Sequence, residues 1–383
     1  MVIYWATKLR GFLKHMSEHM DGVEFVSNDG YYEVSGMTSK LKSKLIRSRL
    51  FDPVGLFQVI NVADRQCDYY GSFNRFLNAD KPYFLYLENP TALYHYSLGR
   101  LRFAPGRKRF ARCLADPNLK YIICMADACR DTFEKINIPV PQHVKMATIR
   151  PFVPRNPHIS PEKIRQQSQN EVLECLFCVQ AKRFITKGGL DVVEAVRRLR
   201  NAGHNIHLTV ITGIGELDAD TLEQVNSCDG VTLLDFKFSY SELEQIYANT
   251  NVLLQPSSDD SCSLTILEAM KGGCAVIASN LYAFPEMVEE NGNGYLLEPK
   301  FRIFTKDNIP NPACWPHKEK RRQAKKKNEA FVRSIEETIL TLHTDREKLC
   351  AFALRSLELA DTKFGEQTIC DQWKDVWNTL AGE

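Results

Sequence analysis

Short apolar runs alternate with longer stretches of helical periodicity along the 383-residue chain. In the first half, the apolar runs predict strands at Val2–Trp5, Val23–Val26, Leu56–Val62, Tyr83–Leu87, Tyr121–Met125 and Val144–Ile149. In the second half, they predict strands at Leu173–Val179, Ile206–Ile211, Val231–Leu234, Val252–Gln255, Ala275–Ala278 and Gly294–Leu297. Strands that alternate with helices are typical of doubly wound α/β domains, so the pattern predicts two such domains.

A proline-rich segment separates the two halves. Pro151 to Pro161 interrupts the alternation and predicts a linker between a first domain at residues 1–155 and a second at residues 165–365. A chain of this length also exceeds what one core usually organises. Trp373 and Trp377 lie at helical spacing, so they predict an aromatic stripe on a final helix at residues 366–383.

The formal net charge is only +2, but the two parts of the chain differ. Residues 1–170 contain 25 Lys and Arg against 15 Asp and Glu, whereas the remainder contains 24 against 32. The first part is therefore basic and the second mildly acidic. No apolar run reaches the length of a membrane span, and Met1 leads directly into an apolar run, so we expect a cytoplasmic protein.

The twelve cysteines lie mostly in apolar runs, as Cys124 and Cys274 do. A thiol packs there as a small apolar group, which fits a reducing compartment. Cys175 and Cys178 form a CxxC pair, but a zinc site of this type needs a second pair that the sequence does not contain. We therefore expect no metal at these thiols.

Two segments concentrate the positive charge. Residues 40–51, KLKSKLIRSRLF, predict a helix with an apolar stripe ringed by cations, and residues 100–112, RLRFAPGRKRFAR, interleave Phe103 and Phe110 with cations. Basic helices of this kind lie on anionic bilayers, so both segments are candidates for contact with an anionic membrane surface. A solvated face or a nucleic-acid patch explains either segment alone equally well. Because no RNA-binding motif or aromatic stacking platform accompanies them, we expect no nucleic acid.

The most informative stretch is residues 255–278, QPSSDDSCSLTILEAMKGGCAVIA. It predicts a strand, a polar loop, a helix and a strand, with the loop at the edge of the sheet where open α/β domains bind ligands. The amides of Ser263, Leu264 and Thr265 begin the helix and suit a phosphate, while Asp260 and Glu268 suit sugar hydroxyls. The predicted ligand is anionic and rich in hydroxyl groups.

A second block, residues 176–189, reads LFCVQAKRFITKGG. It predicts an apolar strand, a basic loop and a helix. Cations in such a loop can neutralise the two charges that a departing nucleotide diphosphate carries, and Lys182, Arg183 and Lys187 are the candidates. For this block alone a solvated basic turn is the better explanation, but the presence of both blocks in this order favours the phosphate site.

Together the two blocks resemble the donor site of the retaining, family-four glycosyltransferases, known as glycosyl transferases group 1. The positions of the family pattern fall on Ala181-Lys182, Lys187-Gly188, Asp260, Glu268, Gly272-Gly273 and Val276–Ser279. Two departures concern the chemistry more than the fold: the first acid is the shorter Asp260, and Cys262-Ser263 replaces the family's Phe-Gly.

The resemblance implies an α/β protein of the GT-B fold, with two doubly wound, Rossmann-like domains facing across a cleft and a C-terminal helix crossing back. It implies a glycosyltransferase that moves a sugar, with retention, from a nucleotide-sugar donor to a glycan acceptor in surface polysaccharide or lipopolysaccharide synthesis. The implied catalytic residues are Asp260, Glu268, Lys187 and His95. The implied donor-binding residues are Lys182, Arg183, Lys187, Ser263, Leu264, Thr265 and Glu268.

The assignment of His95 rests on its place after an apolar strand, where the family often has a His near the donor sugar. Packing or capping explains a lone His equally simply. No metal or other cofactor is implied, because fixed cations and amides take the metal's place and Asp259-Asp260 is a poor metal pair. Since no protein nucleophile is evident, we expect attack from the front face of the donor. The acceptor is expected to be a surface glycan. The variant of this expectation is a glycan linked to a lipid, with the protein bound at the inner face of the membrane.

One alternative function stays open at this point. A glycan- or lipid-binding scaffold of the same fold, with little turnover, fits the shortened Asp260. Residues 212–215, TGIG, follow a strand as in dinucleotide-binding proteins, but Asp218 stands at the position of the third glycine, which disfavours a nicotinamide cofactor. The insert at residues 301–327 has no counterpart in the family, and its basic run HKEKRRQAKKK predicts a solvated stretch or a second membrane anchor.

Overall fold

The structure is a computed structural model, and it describes residues 1–7, 9, 11–27 and 48–382. Residues 40–47, most of the first basic segment, lie outside this description, so the predicted helix there is not tested. The described residues divide into two compact units. Unit 1 comprises Met1–Phe152, Asp307–Pro310 and Ile369–Glu383, and unit 2 comprises Val153–Lys306 and Asn311–Thr368.

Unit 1 is built on a parallel sheet. Its strands, β1 to β8 in chain order, are Val2–Trp5, Glu24–Ser27, Val59–Asn61, Tyr69–Phe73, Phe76–Asn78, Tyr83–Leu87, Leu119–Cys124 and Lys145–Thr148. Six of the described strands form one sheet in the order β2-β1-β4-β6-β7-β8, and β3 pairs with β5 in a separate small sheet. The helices α1 to α3 are Gly11–Glu18, Ala104–Leu114 and Asp127–Lys135. Among the described residues, α-helices follow β1, β6 and β7 as the predicted alternation requires, but β3 to β6 follow one another without an α-helix.

Two details of the predicted first half are wrong. The apolar run at residues 56–62 gives only the short strand β3, outside the main sheet. Neither β5 nor β4, which lies between β1 and β6, was predicted from the sequence. For β4, Gly71 is the reason, because it interrupts an apolar run and yet is required there. A Cβ atom at Gly71 would lie 2.8 Å from the ring of Phe84 and 2.9 Å from that of Trp5.

The C-terminal helix α12, Glu366–Ala381, supplies the predicted aromatic stripe. Trp373 and Trp377 are buried, and their rings stack with centroids 5.0 Å apart. The ring of Phe84 on β6 lies 5.2 Å from that of Trp377, and the ring of Tyr86 lies 5.5 Å from that of Trp373. The end of the chain therefore returns to the sheet of unit 1, as the predicted fold class requires.

Unit 2 contains a second parallel sheet. Its strands, β9 to β14, are Leu173–Cys178, Ile206–Ile211, Val231–Leu234, Val252–Gln255, Ala275–Ser279 and Gly294–Leu297. Every strand predicted for the second half is therefore confirmed to within one residue. The sheet order is β11-β10-β9-β12-β13-β14, a doubly wound order that reverses between β9 and β12.

Helices cover both faces of this sheet. They are α4 to α11 in chain order: Pro161–Ser168, Gly189–Asn201, Ala219–Asn226, Tyr240–Ala248, Leu264–Lys271, His317–Ala324, Glu329–Thr344 and Arg346–Thr362. Alternate residues of β12 point to opposite faces, so Val252 and Leu254 join one apolar core while Leu253 joins the other. Burial on both faces explains why these strands are continuous apolar runs and were predicted accurately.

Candidate active site

The carboxyl edge of the unit 2 sheet carries buried polar atoms that lack protein partners. The Oγ1 of Thr212 after β10, the Oε1 of Gln255 at the end of β12 and the Oγ of Ser279 at the end of β13 accept or donate no hydrogen bond within the described residues. Buried polar atoms are normally paired, and unpaired ones at this edge of a doubly wound sheet indicate a ligand-binding position.

The two sequence blocks meet at this edge. Gly188 stands at the start of α5 with a φ of 87°, and a Cβ atom there would lie 2.9 Å from the carbonyl oxygen of Pro256. The amide of Ser258 donates to the carbonyl of Thr186 at 3.3 Å. The close approach of the two backbones therefore depends on glycine and places the predicted cationic loop against the predicted acidic loop.

The predicted cations and carboxylates form one network. The Nζ of Lys187 lies 2.5 Å from the Oδ2 of Asp260, and both side chains are almost fully buried. The guanidinium of Arg183 lies 3.4 Å from the nearest carboxylate oxygen of Asp259 and 4.0 Å from that of Asp260. The same guanidinium donates to the carbonyl oxygen of Asp259. In this structure carboxylates of the same site hold these cations, and a bound diphosphate would compete with the carboxylates for them.

Lys182 does not belong to this network. Its side chain is 84% exposed and forms its ion pair with Glu216, at 3.5 Å. Lys182 falls on the position of the arginine in the family pattern, but in the structure its neighbour Arg183 makes the contacts with Asp259 and Asp260. A donor-binding role for Lys182 stays a prediction.

Gln255 connects the acidic loop to the start of α8. Its side-chain amide donates to the Oδ2 of Asp260 at 3.3 Å and to the Oγ of Ser263 at 3.2 Å. Ser263 occupies the position before the helix but its side chain makes no capping hydrogen bond. Within the described residues, no hydrogen bond to the amides of Ser263, Leu264 or Thr265 is found, so the helix start offers the three predicted phosphate donors.

Glu268 lies one turn further along α8. The hydroxyl of Tyr247 donates to its Oε2 at 2.9 Å. Burial raises the pKa of Glu268, and the hydrogen bond from Tyr247 opposes that increase. Burial also raises the pKa of the Cys178 thiol to about 12, with Glu268 raising it further and Lys187 lowering it. Glu268 is therefore placed on α8, the helix whose start offers the predicted phosphate donors.

Four residues of this site were not identified from the sequence: Asp259, Gln255, Tyr247 and Lys320. The first two had a usable signal, because Asp259 is next to Asp260 and Gln255 is the one polar residue of an apolar strand. Tyr247 and Lys320 lie on other helices, and no spacing relates them to the motif. Lys320, from the insert, lies 2.7 Å from the Oδ1 of Asp259. Burial would raise the pKa of Asp259, but Lys320 and Arg183 outweigh it and hold that pKa below its usual value.

His95 is part of unit 1 and has a structural contact of its own. It follows a short 3-10 helix, Pro90–Tyr94, with a φ of 61°, and its Nε2 accepts a hydrogen bond from the backbone amide of Gln58 at 3.2 Å. An Nε2 that accepts leaves the proton on Nδ1. The contact fits the packing alternative, and the catalytic role of His95 stays a prediction.

The second basic segment, residues 100–112, is only partly a surface. Arg100 is fully buried and forms an ion pair with Asp52 at 3.2 Å, while Phe110 lies in the core. Arg100 and Phe110 therefore cannot belong to the predicted basic and apolar exterior. The exposed charged and aromatic side chains of the segment are Arg102, Phe103, Arg107, Lys108 and Arg112.

The neighbouring segment 49–56 contacts this one and adds apolar surface. A Cβ atom on Gly55 would lie 2.2 Å from the Cα of Gly106, which shows how closely the two backbones approach. Leu50 is 85% exposed and Phe103 44%. Of the seven exposed large hydrophobic side chains among the described residues, four lie on these two segments: Leu50, Val54, Leu56 and Phe103. We call residues 49–56 and 102–112 the apolar-basic surface.

The described residues lack two other kinds of feature. In the described part of the chain, no group of three His, Cys, Asp or Glu residues is placed so that it could hold a metal ion. None of the helices in the described part combines the length and the hydropathy needed to traverse a bilayer.

Comparison with known proteins relates part of this chain to a described family and the fold to solved structures. Residues 175–304 match the family described as Glycosyl transferases group 1, so unit 2 contains a domain of that family. The two Rossmann-like sheets, the returning helix and the solved glycosyltransferase structures that the chain resembles confirm the predicted GT-B fold class.

Individual relatives are more distant. The chain is 28% identical over 148 residues to AmsK, an amylovoran biosynthesis glycosyltransferase of Erwinia amylovora, and the match covers 36% of each protein. The chain therefore matches little more than a third of the length of this curated relative.

Solved structures resemble almost the whole chain. HepE of Anabaena, in complex with UDP and glucose, has a TM-score of 0.57 at 16% identity and is matched over 99% of this chain and 100% of its own. WaaG, a glycosyltransferase involved in lipopolysaccharide biosynthesis, has a TM-score of 0.60 at 13% identity over 98% of this chain and 99% of its own. A glycosyltransferase from Rickettsia africae reaches 0.62 at 11% identity over 99% and 98%. At these identities the likeness shows the fold alone.

Proposed function

We propose that this protein is a retaining glycosyltransferase that moves a sugar from a nucleotide-sugar donor to a glycan acceptor in surface polysaccharide or lipopolysaccharide synthesis. The observation that carries the proposal is the arrangement in unit 2 of Lys187, Arg183, Asp260 and Glu268 around the open start of α8. Support also comes from the group 1 domain at residues 175–304 and from the names of AmsK and WaaG, which place those proteins in polysaccharide and lipopolysaccharide synthesis.

The chemistry follows from the positions of the charges. Arg183, Lys187 and the amides of α8 stabilise the diphosphate as negative charge develops on it during departure. Glu268 binds hydroxyls of the donor ribose and Asp260 orients the transferred sugar. Attack comes from the same face as the leaving group, and the departing phosphate oxygen takes the proton from the acceptor hydroxyl. The fixed cations do the work that a metal does in other transferases, so we propose that no metal takes part.

The test uses the full-length protein with a panel of UDP-, GDP-, ADP- and CMP-sugars, first by thermal shift and then by release of the nucleotide. Because HepE is described with UDP and with UDP-glucose, UDP-glucose is the first probe. We expect one donor to stabilise the protein and to release its nucleotide in EDTA, with the product keeping the donor's anomeric configuration by NMR. Lys187→Gln should abolish release, whereas the exposed Lys318→Gln should not. Inversion, or no release with any donor, would overturn the proposal.

A second candidate is a scaffold of the same fold that binds glycans or lipids and turns over little. The direct ion pair between Lys187 and Asp260 favours it, because each group then satisfies the other instead of a substrate. The same experiment separates the two functions. A scaffold binds its ligand but releases no nucleotide diphosphate in any of the assays.

We also propose that the protein works at an anionic membrane, through the apolar-basic surface of unit 1. The buried pair of Arg100 and Asp52 neutralises itself, so the remaining charges of residues 49–56 and 102–112 are all positive. Exposed Leu50 and Phe103 can enter the headgroup region while the cations bind lipid phosphates, each cation contributing about 1 kcal/mol. An acceptor linked to a lipid would then be within reach.

Cosedimentation with vesicles tests this surface. We expect binding to vesicles containing phosphatidylglycerol and much weaker binding to pure phosphatidylcholine. The variants Leu50→Gln and Phe103→Gln should weaken binding, and Lys108→Gln with Arg112→Gln should weaken it further. Val26→Gln and Arg333→Gln remove an exposed apolar side chain and an exposed cation elsewhere, and they should leave binding unchanged. If the two control variants lose as much vesicle binding as the others, the apolar-basic surface is not a specific membrane-binding site.

A further inference from the structure

Residues 301–306 and 311–327 of the insert belong to unit 2 and pack beside its acidic loop. The ring of Phe304 stacks on that of Tyr282 with centroids 4.3 Å apart, and the ring of Trp315 meets Phe304 edge-on at 5.3 Å. The amide of Phe301 donates to the Oγ of Ser258 at 3.2 Å. The basic run at residues 317–327, which was predicted to be solvated, includes α9. The last residue of α9, Ala324, is buried. The insert is therefore anchored by aromatic packing next to Asp259 and Asp260.

This anchoring delivers one lysine into the ion-pair network. The Nζ of Lys320 lies 2.7 Å from the Oδ1 of Asp259 and 4.5 Å from the centre of the Trp315 ring. Only 15% of the Lys320 side chain and 11% of the Asp259 side chain are exposed. A contact so well shielded from water keeps much more of its strength than a surface ion pair does.

The charge balance of the network depends on this lysine. Lys187 is paired with Asp260, and Arg183 lies near both carboxylates at 3.4 Å and 4.0 Å. Without Lys320, two cations would face two carboxylates, which leaves no excess charge for an anionic ligand. With Lys320, three cations face two carboxylates. Asp259 has a cation of its own, and Arg183, whose side chain is 38% exposed, is available to a phosphate.

We propose that Lys320 of the insert is a positioning residue for the donor diphosphate: by holding Asp259, it frees Arg183 to bind phosphate. The inference rests on the proposed function, since it deepens the description of the same site. The insert thereby supplies the positive charge that the two adjacent carboxylates, Asp259 and Asp260, would otherwise cancel.

The experiment compares single and double variants of the full-length protein. UDP and inorganic pyrophosphate are the probes, with binding followed by calorimetry and with KM and kcat measured for the donor found active. We expect Lys320→Gln to weaken UDP binding by at least about tenfold and to raise KM more than it lowers kcat. Lys320→Arg should restore most of the affinity. Lys318→Gln, which removes an exposed lysine from the same helix, should change affinity less than twofold.

The decisive variant combines Lys320→Gln with Asp259→Asn. It lacks the ion pair but restores the excess of one positive charge, so we expect its affinity for UDP to return close to that of the unchanged protein. If Lys320 only stabilised the fold, the double variant would bind as poorly as Lys320→Gln, and the inference would be overturned. Equal binding by Lys320→Gln and the unchanged protein would also overturn it and leave the proposed function intact. If the unchanged protein binds neither probe and releases no nucleotide, the proposed function itself fails.

Discussion

At the scale of single residues, the site is governed by buried charges that compensate one another. Lys187 and Asp260 lie 2.5 Å apart with little exposure, and Gln255 holds the same carboxylate oxygen of Asp260 from the other side. Removing one member of a buried pair leaves the other charge without compensation, which costs more than the pair itself contributes. Stability and ligand binding are therefore linked at these positions.

We expect Asp260→Asn to lower the free energy of unfolding by about 2 kcal/mol, because Lys187 loses its counter-ion while the amide oxygen still accepts a hydrogen bond. Urea denaturation measures the loss. The double variant with Lys187→Gln serves as the control, and its loss should be clearly smaller than the sum of the two single losses. Additive losses would show that the pair contributes nothing to stability.

Substitution of Glu268 should not lower stability at neutral pH, in contrast to substitution of Asp260. Burial raises its pKa in the folded protein above the ordinary 4.5, so the unfolded chain gives up this proton first as the pH rises, and the carboxylate costs stability at neutral pH. Glu268→Gln should therefore be as stable as the unchanged protein or more so at pH 7.5, with the difference vanishing near pH 4. Thermal unfolding at both pH values checks this sign.

The same variant should lose activity. An amide cannot form the charge-assisted hydrogen bond to a ribose hydroxyl, so we expect kcat/KM to fall roughly 10- to 100-fold. Glu337→Gln, an exposed site on α10, is the control and should change neither the pH dependence nor the rate. A stable Glu268→Gln variant with full activity would remove Glu268 from the donor site.

The contacts between residues could be predicted from the sequence only in part. Asp260, Glu268, Lys187 and the start of α8 were found because one motif holds them at fixed spacing along the chain. The cation nearest Asp259 was not found, because Lys320 reaches it from an insert 61 residues further along that no motif includes. Packing of Phe304 and Trp315, rather than any local pattern, brings it there.

At the scale of elements, the loop before α5 and the loop after β12 are fitted to each other through Gly188. We expect Gly188→Ala to lower stability by about 2–4 kcal/mol and to weaken UDP binding, because both the positive φ and the contact with Pro256 forbid a methyl group. Gly203 is the matched control. Its φ is 88° but nothing lies within 4 Å of an added Cβ, so Gly203→Ala should cost about 1 kcal/mol and leave UDP binding unchanged. Equal effects of Gly188→Ala and Gly203→Ala would show that the contact with Pro256 has no role.

The helix α12 is expected to contribute to the stability of unit 1 through its two tryptophans. Trp373→Ala should lower the free energy of unfolding by about 3–5 kcal/mol, because it leaves a cavity against Tyr86 of the sheet. Trp373→Phe should cost clearly less, and Asn378→Ala, at an exposed position of the same helix, should cost almost nothing. Denaturation followed by tryptophan fluorescence and circular dichroism measures each loss.

The strands of unit 2 were predictable because both faces of the sheet are buried, which makes each strand an unbroken apolar run. In unit 1 the central strand Tyr69–Phe73 was missed because Gly71 weakens the local signal, although the surrounding rings require a residue without a side chain. Leu56–Val62 was overestimated because its apolar residues serve a small separate sheet and an exposed surface.

At the scale of the whole molecule, positive charge is concentrated in the first 170 residues, which carry 25 Lys and Arg against 15 Asp and Glu. We expect binding to phosphatidylglycerol vesicles to fall steeply between 50 mM and 500 mM NaCl, because salt screens exposed charges over a few ångströms. UDP binding at the buried cations of unit 2 should fall much less over the same range. Vesicle binding that does not change with the NaCl concentration would mean that apolar insertion alone holds the protein to the lipid.

The contact between Gly55 and Gly106 has a further consequence for that surface. Neither glycine has room for even a methyl group, and the fully buried Arg100 fastens the same two segments through Asp52. The entropy of fixing this backbone is thus lost when the protein folds and not when it meets a bilayer. Adhesion would order only the tips of a few side chains, so the surface can attach and detach quickly without refolding.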